Sequence, residues 1–439
     1  MAAFRLLPLF FFFLAMGHCE ELSLSFPLTS HPRSSSSAPS ALPQRILSQS
    51  RGSLYAARYS MALIVSLPVG TPAQDQRMVL DTGSQLSWIH CNKRVKTTQS
   101  QVKTTQSRGS EASPSSASFF NPAVSSSFSP VPCNTVICKP TVADFTVPTV
   151  CDQKKLCSYS YFYADGTLAE GNLVADKIAL SSSPLILGCA SGSKDDYGIL
   201  GMNMGRLSVI SQSKITKFSY CVPSRVSRSS ASATGAFVIG DNPTAGSLKY
   251  VPMMTYQSSE SHRMPNLDPL AYTVPMKVIR VGARTLNISA SAFRANAGGS
   301  GQTFVDSGSE LTYLVDEAYE KVREAVAKAV GPLMKKDFSF AGVADMCFDE
   351  RNEMIVKKKI GGIGLEFDGG VEIAIEQNWV LMDAGDAVKC IAFGRSSMIG
   401  SAANIIGNVH QQNLWVEYDV LRQRVGFGKA DCSATFGQK

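Results

Sequence analysis

The sequence predicts an all-β protein made of two similar halves, with a few short helices as accessories. Short runs of β-branched and aromatic residues recur from Met61 almost to the C-terminus, and Gly, Pro and Ser separate them. The motif Val-Leu-Asp-Thr-Gly-Ser at residues 79–84 recurs in pattern as Phe-Val-Asp-Ser-Gly-Ser at residues 304–309. With 439 residues, of which 44% are hydrophobic, the chain is long enough to bury two cores.

The first 19 residues have the layout of a cleaved secretory signal. Arg5 precedes an apolar run at residues 6–14, and small residues follow at Ala15 and Gly17. Of the 11 cysteines, removal of residues 1–19 leaves an even set for disulfides, whereas cleavage after Gly17 leaves one thiol unpaired. We therefore expect the chain to enter the secretory pathway, with the endoplasmic reticulum, the vacuole and the extracellular space all open as destinations.

Three further segments follow the signal. Residues 20–57 are rich in Ser and Pro and predict a flexible leader, interpreted as a removable pro-segment. Its arginines outnumber its acids and would be attracted to an ionised cleft, and acid would weaken that attraction. An N-terminal lobe over residues 58–240 and a C-terminal lobe over residues 241–439 each contain one copy of the duplicated motif.

The clearest helix is predicted at residues 316–330, before the Gly331-Pro332 stop. Apolar residues recur on one of its faces at Tyr319, Val322, Val326 and Val330. After the signal, no segment has about 18 uninterrupted apolar residues. We therefore expect no stable membrane insertion once the signal is removed.

The net charge of +7 raises the question of an acidic partner. The basic residues form scattered patches at residues 93–108 and 357–359, and no stacking aromatics lie among them. We interpret them as solvated surface, with no nucleic-acid site. The first patch contains Val-Lys-Thr-Thr-Gln-Ser twice, which predicts a surface loop.

The duplicated motif carries the chemistry. In each copy an apolar pair ends a buried strand, and Gly permits a turn that exposes the preceding carboxylate of Asp81 or Asp306. A single such loop would be an ordinary turn, but two in matching halves predict one shared site. Carboxylates held about 3 Å apart share one proton, so one acts as base and the other as acid. Such a pair can activate a water molecule and needs no metal, cofactor or covalent intermediate.

On these motifs the chain resembles pepsin-family aspartic proteases, specifically the plant nepenthesin-like branch, from about Tyr59 to Cys432. The resemblance implies two orthogonally packed β-barrel lobes with a central cleft, polypeptide substrates and a monomer. It also implies that bulky apolar residues flank the cleaved bond. It rests on motifs that occur in order: Asp81-Thr-Gly-Ser with Trp88 downstream, Tyr163-Ala-Asp-Gly-Thr, Gly198-Ile-Leu-Gly, Phe218-Ser-Tyr-Cys, Asp306-Ser-Gly-Ser and Asn404-Ile-Ile-Gly.

The resemblance also assigns roles to single residues. Tyr163 corresponds to the tyrosine of a flap, a β-hairpin that closes over the substrate, and Trp88 to the tryptophan that hydrogen-bonds it. Ser84 and Ser309 correspond to hydroxyl partners of the catalytic carboxylates Asp81 and Asp306. Gly83 and Gly308 are expected to line the substrate site with them.

Cys133, Cys138, Cys151 and Cys157 could in isolation suggest a metal site, but their spacing is not that of a common zinc module. We favour disulfides, whose connectivity the residues alone leave open. The resemblance implies the nested pairs Cys133–Cys157 and Cys138–Cys151, together with Cys91–Cys189, Cys221–Cys432 and Cys347–Cys390. The pairing of Cys91 is the least supported, because the repeat at residues 93–108 stands where the branch usually has two further cysteines.

The residues support other protease classes, a binding role and a structural role less well than proteolysis by paired acids. No histidine lies in a metal or nucleophile motif, so neither a serine nor a cysteine protease is supported. Some plant relatives keep the fold but act as secreted binding or enzyme-inhibitor proteins that have lost catalytic groups. Both acids and the flap tyrosine are present here, which favours catalysis and leaves a purely structural wall glycoprotein unsupported. Asn287-Ile-Ser is the one sequon and a candidate for N-glycosylation.

Overall fold

The structure is a computed structural model that describes residues 23–32, 61–91, 119–139, 147–164, 166–191, 197–225, 234–242, 246, 248–256 and 263–433. Strands dominate these residues, as the sequence predicts. The expected signal peptide, the leader beyond residue 32 and the repeated segment between residues 92 and 118 lie outside the described ranges.

The first half of the chain contributes short strands rich in Val, Ile, Leu and aromatic residues, which suit a pleated and partly buried surface. It also contains one short helix, α1 (Val209–Ser213). Its strands are β1 (Leu24–Pro32), β2 (Met61–Val69), β3 (Gln74–Asp81), β4 (Trp88–His90), β5 (Ser129–Pro130), β6 (Val150–Cys151), β7 (Cys157–Phe162), β8 (Leu168–Asp176), β9 (Leu185–Ala190), β10 (Gly198–Gly201), β11 (Lys217–Cys221) and β12 (Thr234–Ile239).

The second half is likewise built mainly from short strands. Its strands are β13 (Lys249–Pro252), β14 (Met276–Val281), β15 (Arg284–Thr285), β16 (Thr303–Val305), β17 (Thr312–Leu314), β18 (Cys347–Asp349), β19 (Ile363–Phe367), β20 (Glu372–Ile375), β21 (Leu381–Gly385), β22 (Val388–Ile391), β23 (Phe393–Arg395), β24 (Asn404–Ile406), β25 (Leu414–Asp419) and β26 (Arg424–Lys429). Single 3₁₀ turns lie at Pro122–Val124, Val136–Cys138, Ala290–Phe293, Gly331–Leu333, Glu350–Asn352, Asp368–Gly370, Gln377–Trp379, Ser396–Ile399 and Asn408–Gln411.

Two helices belong to the second half, α2 (Asp316–Val330) and α3 (Glu353–Ile360). The prediction of α2 is confirmed at both ends, and its four predicted apolar residues are buried. Acidic residues in its first turn and Lys328 in its last turn complement the helix dipole. Within the described residues, no helix is both long and apolar enough to cross a membrane.

One 15-stranded sheet runs through both halves of the molecule. Its strands follow the order β13-β26-β25-β11-β12-β1-β2-β3-β10-β4-β9-β8-β7-β6, and β5 pairs with β8. The last strands of the chain, β25 and β26, therefore join the first half through the pairing of β25 with β11. The sheet crosses the expected lobe boundary at residue 240, while the two acid loops stay on opposite sides of that boundary.

The structure differs from the expected flexible leader over Leu24–Pro32, which forms strand β1. This strand lies between β12 and β2 and pairs antiparallel with both. The physical reason is a period of two: Leu24, Phe26 and Leu28 point to one face, and Leu28 is fully buried there. The part of the leader before β2 that the structure describes is thus an integral strand.

Each acid loop begins where a strand of a short parallel pair ends. In the first half β3 lies parallel to β10 and β4 parallel to β9, and in the second half β16 lies parallel to β24 and β17 to β23. An antiparallel contact joins the two pairs in each half, Ile199 with Trp88 and Tyr313 with Ile405. The duplicated motif therefore marks a duplicated topology.

Five disulfides link the described cysteines, and two of them differ from the expected nested pairs. Cys133 is bonded to Cys151 and Cys138 to Cys157, instead of Cys133 to Cys157 and Cys138 to Cys151. Cys138 and Cys157 are both buried, whereas Cys133 and Cys151 lie nearer the surface. Cysteines at similar depth therefore pair. The remaining bonds are Cys91–Cys189, Cys221–Cys432 and Cys347–Cys390.

Candidate active site

The two acid loops meet at the junction of the halves, and the glycine of each lies against the carboxylate of the other. A Cβ on Gly83 would lie 2.9 Å from the carboxyl atoms of Asp306, and a Cβ on Gly308 would clash with Asp81 Oδ1. Because glycine has no side chain, the two carboxyl groups can approach each other. Asp81 and Asp306 are each 7% exposed, so both are largely buried yet still reach water.

The two carboxylates have matching hydrogen bonds. In each loop the glycine N–H donates to Oδ1 and the serine hydroxyl donates to Oδ2, as the family resemblance implies for the serines. Donors of this kind fix the orientation of a carboxylate. The distances are 2.9 Å from Gly83 N and 2.5 Å from Ser84 Oγ to Asp81, and 2.9 Å from Gly308 N and 2.6 Å from Ser309 Oγ to Asp306.

Thr82 and Ser307 tie the two loops together below the acids. The Thr82 N–H donates to Ser307 Oγ at 3.1 Å, and the Ser307 N–H donates to Thr82 Oγ1 at 2.9 Å. Each hydroxyl also reaches a strand carbonyl of the opposite half, Ser307 Oγ to Leu80 O at 2.7 Å and Thr82 Oγ1 to Val305 O at 3.4 Å. The exchange is reciprocal, so it fixes the separation of the two carboxylates.

A second layer of polar side chains, from two strands of the large sheet and one 3₁₀ turn, lies beneath the loops. Gln411 Nε2 donates to Asp306 O at 3.1 Å, and Gln411 Oε1 accepts a hydrogen bond from Tyr220 Oη at 2.7 Å. Tyr220 Oη lies 3.1 Å from Tyr418 Oη, which donates to Val305 O at 3.4 Å. Burial raises the pKa of both tyrosines, so they stay neutral donors. Sequence reasoning missed this layer, because Tyr220 and Tyr418 lie on strands and Gln411 in a 3₁₀ turn, all far in sequence from either acid motif.

The predicted flap is the β7–β8 hairpin, whose tip carries Tyr163. Trp88 Nε1 donates to Tyr163 Oη at 2.9 Å, which is the contact that the resemblance implies. Trp88 is fully buried, and the Tyr161 ring lies 5.0 Å from that of Tyr163. Burial and the nearby charge of Asp81 raise the pKa of Tyr163 well above its usual range. The tyrosine is thus a neutral group held close to the first acid.

A third carboxyl group lies near the pair. Asp268 Oδ1 accepts a hydrogen bond from the Leu270 N–H at 2.9 Å, and the Leu270 carbonyl accepts one from Met204 N–H of the first half at 3.0 Å. Burial raises the pKa of Asp268, the Leu270 N–H lowers it, and the negative charge of Asp306 raises it again. Sequence reasoning did not single out Asp268, since no motif surrounds it.

Two other predicted features lie outside this site. Asn287 is exposed, as a glycosylated asparagine must be. Among the described residues, one group of possible metal ligands brings its atoms within 4.8 Å of one another, Cys133, Cys138 and Cys151. All three are bonded in disulfides, and a metal ligand must be a free thiolate.

Comparisons with known proteins agree with the duplicated architecture. A family described as Xylanase inhibitor N-terminal matches residues 63–241, and one described as Xylanase inhibitor C-terminal matches residues 271–429. The solved structures titled edgp and conglutin gamma from lupine seeds superpose with TM-scores of 0.58 and 0.57. They cover 93% and 92% of this chain, and the chain covers 95% and 94% of them, at 17% and 15% identity, so they show the fold alone.

Curated sequences are closer to this chain. It is 33% identical over 408 residues to aspartic proteinase PCS1 of Arabidopsis thaliana, an alignment that covers 87% of this chain and 84% of that protein. It is 30% identical over 381 residues to aspartic proteinase nepenthesin-2 of Nepenthes gracilis, which covers 85% and 78%. With both acid loops in register on such a fold, the chain belongs to the plant pepsin-like aspartic proteinases.

Proposed function

We propose that Asp81 and Asp306 together perform the peptide-bond hydrolysis of this aspartic endopeptidase. The observation that carries the assignment is the near-identity of the two carboxylate environments. Each acid has one amide donor and one hydroxyl donor, and each lies against the opposite glycine. Two acids so close share one proton, which provides a base and an acid at one place.

In the proposed reaction the ionised carboxylate removes a proton from a water molecule while the water oxygen attacks the scissile carbonyl carbon. The protonated carboxyl group stabilises the oxyanion that forms. In the second step the amide nitrogen accepts a proton, the C–N bond breaks, and a carboxylic acid and an amine leave. Since the pair titrates as a unit, the proton belongs to both residues.

The role of the flap in this proposal is to position the peptide substrate. Tyr163 lies at the tip of a hairpin, where the charge of Asp81 acts on it, and its hydroxyl group accepts a hydrogen bond from Trp88. Closure of such a hairpin over an extended peptide excludes water from the reacting bond. We propose polypeptide substrates with bulky apolar residues at the cleaved bond, handled by a monomer with no nucleic-acid partner.

Passage through the secretory pathway is part of the same proposal. The signal-like layout of residues 1–19 and five disulfides support it, because disulfides persist in oxidising compartments. The exposed Asn287 is the proposed glycan site. A binding-only role, as in an enzyme inhibitor, is not favoured, since both acids keep their complete sets of donors.

The decisive experiment compares Asp81→Asn and Asp306→Asn with Asp316→Asn, which changes an exposed acid at the start of α2. Asn is nearly isosteric but can neither act as base nor supply the shared proton. Each of the first two variants should be folded and lose at least about a thousandfold in kcat, while the control retains wild-type activity. Pepstatin should inhibit the wild type. Substantial cleavage by purified Asp81→Asn or Asp306→Asn would sink the assignment.

A further inference from the structure

An arginine of the first half reaches behind the second acid loop. Arg225 follows β11 and lies at the end of a described segment. Its Nη1 donates to Glu310 Oε1 at 2.7 Å, and the two side chains are only 13% and 12% exposed. In every other ion pair between described residues, at least one side chain is more than a quarter exposed. This pair is therefore unusually well shielded from water.

Glu310 directly follows Ser309, whose hydroxyl binds Asp306. The second Arg225 nitrogen, Nη2, donates to Asn408 Oδ1. Asn408 in turn holds the acid loop twice: its Nδ2 donates to Ser307 O at 2.8 Å, and its N–H donates to Ser309 O at 2.8 Å. The Arg225 guanidinium thus holds the second acid loop by two routes. It pairs with Glu310, which belongs to the loop, and it binds the side chain of Asn408, which in turn binds the loop backbone.

The first acid loop lacks this charge. Gln85 follows Ser84 as Glu310 follows Ser309, and its Oε1 accepts from the Leu207 N–H at 3.5 Å. A buried charge pair is costly to desolvate, and the loss of either partner leaves an unpaired charge inside the protein. A neutral glutamine at the matching position is enough to hold the first acid loop. The costly buried ion pair on the second loop therefore calls for a reason other than fixing the loop.

We propose that Arg225 and Glu310 are positioning residues for Asp306: they hold the second carboxylate at the separation from Asp81 that sharing one proton requires. Neither residue contacts substrate in this proposal, which rests on the proposed function. His410 also faces Arg225, and burial and the Arg225 charge lower its pKa to about 3. His410 is therefore neutral well above pH 3 and does not compete for Glu310 there.

The test uses the full-length secreted protein after maturation, with active sites counted by pepstatin titration. The variants are Glu310→Gln, which copies the residue of the first loop, Arg225→Met, Arg225→Lys and the double variant Arg225→Met/Glu310→Gln. The matched control is Arg323→Met, which breaks a partly exposed ion pair between Arg323 of α2 and Asp345. For each protein, kcat and KM are measured across pH, and thermal unfolding reports the fold.

Glu310→Gln and Arg225→Met should each lower kcat on the order of 10- to 100-fold with KM changed by less than about threefold, since small displacements at a reacting centre cost that much. One limb of the pH–rate profile should also move. The double variant should be no worse than the poorer single variant, and Arg225→Lys should recover part of the rate. Arg323→Met should match the wild type.

Wild-type kcat and pH profile in folded Glu310→Gln and Arg225→Lys would overturn the proposal, even if Arg225→Met fails to fold. A loss of thermal stability with an unchanged rate per titrated site would also overturn it, because that is the signature of a purely structural pair. Asp306→Asn separates the two hypotheses. If Asp306→Asn is inactive while Glu310→Gln has wild-type activity, the proposed function stands and the positioning role fails.

Discussion

At the scale of single residues, the duplicated motif pointed to Asp81 and Asp306, and the family resemblance pointed to Ser84 and Ser309 as their partners. Each serine lies three positions after its acid, so a local pattern encodes that contact. The Thr82–Ser307 exchange and the Arg225–Glu310 pair join residues from opposite halves. No local period or motif signals such a contact, and it becomes visible only when the chain is folded.

The serine hydroxyls lead to a first prediction. Ser84→Ala or Ser309→Ala removes the hydroxyl donor that orients one carboxylate, and a carboxylate with fewer donors is held less firmly in its reactive position. We expect kcat to fall about tenfold with little change in thermal stability. Ser397→Ala is the control, because Ser397 donates at 2.7 Å to the exposed Asp316 instead of to either acid of the pair. Wild-type kcat in both folded serine variants would contradict the prediction.

His410 leads to a second prediction, on stability. Its Nδ1 lies 2.7 Å from Thr312 Oγ1, its ring packs against Phe393, and its pKa is lowered to about 3, mainly by burial. The unfolded chain, with an ordinary histidine pKa near 6.5, binds a proton that the native state excludes. The contribution of neutral His410 is therefore complete above about pH 6.5 and is lost as pH falls toward about 3.

His410→Gln keeps a hydrogen-bonding side chain but does not titrate. Between pH 7 and pH 4 the variant should lose about 3 kcal/mol less unfolding free energy than the wild type, as measured by urea denaturation at each pH. Equal losses in the two proteins would show that His410 is not the group responsible. The absolute stability of the variant at pH 7 does not enter the comparison.

At the scale of elements, helix α2 and strand β1 show what sequence patterns can predict. Helix α2 was found because its apolar period and its Gly-Pro stop agree. Strand β1 was missed although Leu24, Phe26 and Leu28 alternate, since Ser and Pro residues suggested a leader. Pro27 is tolerated because it lies where β1 pairs with β12 alone, before the pairing with β2 begins at Leu28.

The flap leads to a third prediction. Tyr163→Phe removes the hydroxyl that accepts from Trp88 Nε1 and leaves the ring in place. The hairpin tip should then close less often in the productive position, and kcat/KM should fall about tenfold with little change in thermal stability. Tyr161→Phe serves as a control on the same hairpin, because it keeps the ring that packs beside Tyr163. Wild-type kcat/KM in Tyr163→Phe would refute a positioning role for the hydroxyl.

At the scale of the whole molecule, the large sheet links the two halves through strands from both ends of the chain. Strand β1 lies between β12 and β2, and β25 pairs with β11 on the other side of β12. The acid pair sits where these halves meet, so its geometry depends on the sheet as well as on the loops. Sequence patterns predicted two lobes, but they could not predict a shared sheet, because strand partners far apart in sequence leave no local signal.

The last prediction concerns the leader, residues 20–57. Deletion of residues 20–32 removes β1, exposes the facing edges of β2 and β12 and leaves a gap where Leu28 is fully buried. That protein should be secreted poorly and unfold at least about 5 °C lower, because an unpaired strand edge and a core cavity are both destabilising. Deletion of residues 36–57 should instead keep the fold, since Pro32 and Met61 are paired neighbours that a short connection can join.

The two deletions also separate an inhibitory role from a structural one. If residues 36–57 cover the ionised cleft at neutral pH through their arginines, the shortened protein should be active without exposure to acid. The full-length form should then mature faster as pH falls toward about 4 to 5, where carboxylates become neutral. Peptide cleavage at pH 7 before and after acid treatment, with intact masses, measures this directly. If the full-length protein is already fully active at pH 7 and the deletion of residues 36–57 changes nothing, the inhibitory part of the hypothesis is wrong and only the structural role of β1 remains.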